Sequence, residues 1–306
     1  MESLQSQKLA QAASLLDNAG LDAWLVFVRE TAEGADPVLP LILDAGLTWQ
    51  SALVVSRTGR IAIVGTYDAA PVRRSGDWGQ VVGYDRSIRG PLLDALERLV
   101  PAGPAPPRIG VNWSLHDPKA DGLSHGMWLL LQEILAGSRF EGSLVSAEAL
   151  AMALRGRKTP AELAAIRRAT AETERLLDFV GRTARLGMSE RDVQQKVHAE
   201  MDARGLDFAW DRAANPIVNA GPASEVGQGK PSGSVRLEAG HILHVDLGAR
   251  VDGYSADLQR CWLAPRPGAP GVPADAQRAL AAVVEAISAA AAALRPGALG
   301  WEVDAA

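Results

Sequence analysis

Two carboxylates, Asp246 and Asp257, stand in the segment Asp246-Leu-Gly-Ala-Arg-Val-Asp-Gly-Tyr-Ser-Ala-Asp257. His241 to Arg250 and Tyr254 to Leu263 are β-rich runs, and Asp252-Gly253 between them is a strong hairpin signal. Side chains alternate faces along a strand. With Val251-Asp252 as the loop, Asp246 lies directly opposite Asp257. With Asp252-Gly253 as the loop, Asp246 lies opposite Gln259 and diagonal to Asp257. Both registers put the two carboxylates on one face, roughly 5–8 Å apart, where they repel. A hard or borderline divalent cation turns that repulsion into binding. The competing reading is a pair of acids on a solvated sheet face. Val245 and Leu247 are expected to enter a core on the opposite face, and Gly248 is expected to leave room for a ligand.

The pattern Asp-x-Gly-x-x-x-x-Gly-Tyr-x-x-Asp, followed by Arg260, resembles the first metal-binding hairpin of the pita-bread metallopeptidases. That family holds the Xaa-Pro aminopeptidases and prolidases, with creatinase and methionine aminopeptidase as relatives. Lys158-Thr-Pro-Ala-Glu162, with Leu163, Ile166 and Ala169 after it, resembles the entry to the first helix of its catalytic domain. Gly187-Met-Ser-Glu190 with Val193 and Val197 resembles the second helix, and Ile217-Val-Asn-Ala-Gly221 through Pro231 the substrate-binding strand and loop. The resemblance runs from about Lys158 to the end, and the hairpin is its most specific part.

Two departures from the family pattern matter. Members carry a His in the loop after the Ile-Val strand; Gln228 occupies that position here, a substrate-binding candidate that hydrogen-bonds but does not titrate near neutral pH. The family's metal site also takes one His and two Glu from further along. All five histidines here (116, 125, 198, 241 and 244) precede or lie within the hairpin. Asp246 and Asp257 are therefore the metal ligands that the resemblance assigns, and no catalytic side chain is assigned. The helix-then-hairpin pattern that opens at Pro160 starts again at Ala274 and stops soon after Arg295-Pro-Gly-Ala-Leu-Gly-Trp-Glu-Val-Asp. The expectation is a C-terminally truncated member.

The elements that must carry this hairpin are α/β throughout. A helix is expected over about Leu4 to Ala19 and strands over Ala23–Val28, Ser51–Ser56, Arg60–Gly65, Gln80–Tyr84 and Arg108–Asn112. Helices are expected over Pro91–Val100 and Leu123–Leu135. This alternation predicts a mixed sheet with helices on it. By resemblance it is a creatinase-like accessory domain, residues 1–155. An incomplete pita-bread domain of α+β type follows over 156–306, after the basic stretch Arg155-Gly-Arg-Lys158. His116-Asp117 and His125 do not share a helix face and read as surface or structural residues, not a metal cluster. By resemblance, His116 and Trp113 are the accessory-domain residues to watch near a partner's site.

Composition sets the class. The net charge of −5 carries no basic stripe for nucleic acid and no Lys/Arg block for a membrane surface. The single cysteine, Cys261, excludes an internal disulfide and is expected to be a packed thiol. The N-terminus is polar, and the run Ala23 to Val28 is too short for a span. Ala281 to Leu294, interrupted by Glu285 and Ser288, reads as a packed helix. A cytoplasmic enzyme is expected.

The resemblance implies metal-dependent hydrolysis of peptides with proline at the second position, by an Xaa-Pro aminopeptidase or dipeptidase. It implies one or two divalent ions, manganese first and cobalt or zinc after it, and a homodimer. With the later ligands missing, this chain is expected to be inactive as it stands. The alternatives are a non-catalytic peptide- or protein-binding relative, which Gln228 favours, and a creatinase-like metal-independent hydrolase. Neither alternative needs the acidic pair.

Overall fold

The computed structural model describes residues 3–34, 36–225, 227, 229–268 and 271–306. They form two compact units, Met1–Leu163 and Ala164–Ala306. The first unit carries strands β1 (Ala23–Val28), β2 (Ser51–Ser56), β3 (Arg60–Gly65), β4 (Gln80–Tyr84), β5 (Ile109–Val111) and β6 (Leu144–Ser146). They make one mixed sheet in the order β4-β3-β2-β1-β5-β6. The pairs β1–β2 and β2–β3 are antiparallel and the other three are parallel.

Its helices are α1 (Leu4–Leu15), α2 (Leu39–Ile42), α3 (Thr66–Ser75), α4 (Arg89–Leu99), α5 (His125–Leu135) and α6 (Glu148–Gly156). Strand alternation sorts them into layers. Along β1, Trp24, Val26 and Val28 join a core with α1, α2, α3 and α6. Ala23, Leu25 and Phe27 join a second core with α4 and α5. A strand covered on both faces must be apolar at every position, so β1 reads as an unbroken run. The pattern hides α3, which follows β3 directly and contains Pro71, a residue that reads as a break.

A buried cation closes this unit. Lys8, 0 % exposed, donates to the carbonyls of Leu154 at 2.6 Å and Arg157 at 2.9 Å, and to Gln11 Oε1 at 3.0 Å. It also meets Glu162 at 2.7 Å. Burial lowers the Lys8 pKa from its usual value, while the bond to Glu162 works the other way.

Helix α7 (Pro160–Thr183) leads into the second unit, followed by α8 (Glu190–Arg204), β7 (Asp207–Phe208), β8 (Ile217–Ala220) and β9 (Ile242–Leu247). Then come β10 (Ala249–Val251), β11 (Tyr254–Ser255), β12 (Leu258–Leu263), α9 (Ala274–Ala293) and α10 (Gly300–Asp304). One antiparallel sheet runs β12-β9-β8 and a second runs β11-β10-β7. The start of α8 is a capping box: Asp192 N donates to Ser189 Oγ at 3.1 Å, and Ser189 N to Asp192 Oδ2 at 2.8 Å.

Helices α7 and α8 cover one face of β12-β9-β8. Leu176, Leu177, Val180, Val193, Val197 and Met201 pack there against Val218, Leu243, Val245 and Leu247. The alternate positions, Asn219, His244, Asp246 and Gln259, therefore sit on the other face. The packed helix expected over Ala281 to Leu294 is not observed in that form, because no residue of α9 is buried. Alanine-rich sequence makes α9 helical by intrinsic propensity, without a partner surface. Among the described residues, α9 alone is long and apolar enough to cross a membrane by length and composition.

Candidate metal centre and adjoining cleft

The hairpin adopts the second of the two registers. Gln259 pairs with Asp246 and Tyr254 with Val251, so Asp252-Gly253 is the turn and Asp257 lies diagonal to Asp246. Both turn residues have positive φ, 49° at Asp252 and 78° at Gly253. Tight turns that match strand twist require this at both central positions, which is why Asp-Gly selects the register. Arg168 on α7 pairs with Asp252 and holds the turn tip. Arg260, on the helix-covered side, pairs with Asp178 at 2.7 Å.

The strand breaks at Gly248 between β9 and β10, and side chains replace the ladder there. Asn215, fully buried, donates from Nδ2 to the Gly248 carbonyl at 2.7 Å and accepts from its N–H at 3.4 Å. Thr173 Oγ1 accepts from Ala249 N at 3.0 Å. The expectation that Gly248 leaves room for a ligand is overturned. A Cβ there would meet Ala256 O at 2.3 Å, Ala209 Cβ at 2.6 Å and the Trp210 ring at 2.6 Å. The glycine lets protein pack against protein where the strand changes sheets.

Asp246 and Asp257 come together on the uncovered face. Asp246 is partly buried and Asp257 exposed. Burial first, and then the neighbouring Asp257 carboxyl, push the Asp246 pKa up to about 6. Asp246 Oδ2 accepts from Gln259 Nε2 at 3.1 Å, whereas Oδ1 is buried with no hydrogen-bond partner. A buried oxygen without a donor, beside a second carboxylate, is the environment a divalent cation would satisfy, so the pair fits a metal. Among the described residues no group of three or more His, Cys, Asp and Glu side chains gathers around such an ion.

A cavity of about 490 Å³ adjoins the pair, lined in part by Ile217, Ser224, Glu225, His244, Asp246 and Gln259. Its wall is the loop after β8, held by one buried carboxylate. Glu190 Oε1 accepts from Ala220 N at 3.1 Å and Ser224 Oγ at 2.6 Å, and Oε2 accepts from Ser232 N at 2.8 Å. Gln228, the substrate-binding candidate on this loop, lies outside the described residues.

On the floor, His244 Nδ1 lies 2.9 Å from Asn219 Oδ1 and Nε2 lies 3.0 Å from Gln259 Oε1. Sequence reading singles out none of Asn219, His244, Gln259, Asn215 and Glu190 for these roles. For Gln259 and His244 the signal exists, since the Asp252-Gly253 register places one opposite Asp246 and strand period places the other beside it. Cys261 is exposed, not packed, because it falls on the uncovered face opposite His244. Partial desolvation raises its thiol pKa, which disfavours the reactive thiolate. His116 and His125 join no metal cluster among the described residues; His125 lines a separate recess with Trp113, Leu123 and Trp128.

Residues 164–306 match the model of metallopeptidase family M24. Among curated proteins none matches. The Xaa-Pro dipeptidase from Bacillus anthracis is similar in structure, with TM-score 0.66 and 17% identity over 94% of this chain and 71% of that one. The dipeptidase PepE from Mycobacterium ulcerans gives TM-score 0.65 and 22% identity over 94% of this chain and 70% of that one. The N-terminal domain of the FACT complex subunit SPT16 from Eremothecium gossypii gives 0.59 and 12%, over 93% and 72%. These identities establish the fold alone, a mixed α/β unit followed by the hairpin-bearing part of a pita-bread domain. The residues that match this family model, 164–306, coincide with the second unit, Ala164–Ala306.

Proposed function

We propose that the hairpin supplies two metal ligands, Asp246 and Asp257, of an Xaa-Pro peptidase acting on peptides with proline at the second position. One observation carries the reading: the buried, partnerless Asp246 Oδ1 beside the Asp257 carboxyl. A bound divalent ion, manganese before cobalt or zinc, would lower the pKa of a water and polarise the scissile carbonyl. The chain's own residues bind and orient. Asp246 and Asp257 hold the cation, Glu190 fixes the cleft wall, and Gln228 is the candidate contact to the peptide. A cytoplasmic location and pairing with a second copy belong to the same proposal. With no third ligand among the described residues, the 306-residue chain by itself is proposed to bind metal weakly and to cleave nothing.

Titration with Mn²⁺, followed by the electron paramagnetic resonance of the free ion, tests this. The expected result is weak binding that disappears in a variant carrying both Asp246→Asn and Asp257→Asn, with Ala-Pro and Ala-Pro-Ala left intact. Undiminished binding by that variant would remove the reading.

The small ligand set, and a family-like fold in a subunit of the FACT complex, favour a second reading: a peptide- or protein-binding relative. It predicts that a proline-containing peptide binds uncleaved without metal, with affinity unchanged in Asp246→Asn.

A further inference from the structure

We infer that Gln259, His244 and Asn219 form a relay of positioning residues that holds Asp246 ready for the ion and couples it to the cleft wall. This rests on the metal reading above. Each amide has one end committed elsewhere. Asn219 Nδ2 donates to the Glu225 carbonyl at 3.0 Å, so Oδ1 faces the His244 ring. Gln259 Nε2 donates to Asp246 Oδ2 at 3.1 Å, so Oε1 faces the other ring nitrogen. An amide oxygen thus faces each ring nitrogen; a neutral imidazole donates to one of them only, and the tautomer decides which. The chain of contacts runs from the loop at Glu225, through Asn219, His244 and Gln259, to the metal-site carboxylate.

The consequence for Asp246 is specific. A carboxylate with one oxygen engaged by an amide N–H has its rotation fixed, and Oδ1 is left for the cation. Partners of this kind orient metal ligands and tune their affinity. The relay is not a packing device, because Gln259 is exposed and the apolar core lies on the opposite face of the sheet. A structural explanation would require the bonds to seal a core, and they do not. The loop end of the relay is itself pinned by Glu190 through Ser224, so movement of the cleft wall is transmitted to the carboxylate.

The experiment is Mn²⁺ binding to the whole chain, read by the resonance of the free ion, with metal-free melting curves as a fold control. The variants are Gln259→Leu, His244→Phe and the pair together. Each keeps side-chain bulk and removes hydrogen-bonding groups. Each single variant is expected to weaken Mn²⁺ about tenfold. The double variant is expected to lose no more than the worse single, because both cut the same relay. Unchanged affinity in the singles, or losses that multiply in the double, would overturn the relay and leave the metal reading standing. Absence of Mn²⁺ binding by the unaltered chain would overturn both.

Discussion

At Asp246 burial and a neighbouring acid act in the same direction, and both oppose negative charge. Its pKa of about 6 stands above the ordinary 3.8, so the folded chain holds this proton more tightly than the unfolded chain. The stability it contributes is fully present below about pH 3.8 and is lost as pH rises through about 6. The melting temperature of the metal-free chain should therefore fall between pH 4 and 7 relative to Asp246→Asn. At pH 7, saturating Mn²⁺ should raise it in the unaltered chain and leave Asp246→Asn unmoved, because only an ion bound to the fold stabilises it. Melting curves at four pH values with and without metal check both signs. Gly248 gives a second test. The atoms facing its missing Cβ are backbone and ring, which give little, so Gly248→Ala should cost about 1–3 kcal/mol in urea unfolding. An unchanged urea midpoint would mean that the chain relaxes there. The acidic pair was legible from residue type and spacing alone. The close packing at Gly248 was not, because glycine signals either free space or close approach, and only the partners distinguish them.

Glu190 and Lys8 show how single buried charges fasten whole elements. Glu190 sits in the first turn of α8, yet its three bonds go to the strand end and loop beyond β8. Glu190→Ala strands the N–H groups of Ala220 and Ser232 and should cost about 2–4 kcal/mol in urea unfolding. It should also loosen the cleft wall, measurable as faster amide exchange at Ser224 and Ser232. Lys8→Met removes the cation facing Glu162 and the donor to two carbonyls, and should cost about 3–5 kcal/mol. A loss below 1 kcal/mol in either case would show that water replaces the buried charge. Elements with strong periodicity, such as α7 and β1 to β4, were visible in the sequence within a few residues. The short pieces β6, β7 and α2 were not, because three or four residues carry no period. The hairpin register was narrowed to two choices by strand alternation, and the positive φ of Asp252 and Gly253 made the difference.

For the whole molecule, the division into two α/β units follows from the order of strands and helices, but the exposure of α9 does not. Apolar composition predicts burial, and no residue of α9 is buried among the described residues. Leu280, Val283, Val284 and Ile287 are 64%, 55%, 54% and 63% exposed and follow one another at helical spacing. They make a single stripe, whereas Arg278 and Glu285 lie on the helix between its ends. A membrane span would place Glu285 deep in hydrocarbon, at a cost of a few kcal/mol, so the stripe fits a protein surface better than a bilayer. Exposed apolar stripes of this kind drive association. Sedimentation velocity of the chain should therefore show mass rising with concentration. Leu280→Glu with Ile287→Glu should return it to a monomer without altering its far-ultraviolet circular dichroism, since neither residue supports the core. A concentration-independent monomer in the unaltered chain would show that α9 does not act as an interface, and co-flotation with lipid vesicles would move it to the bilayer instead.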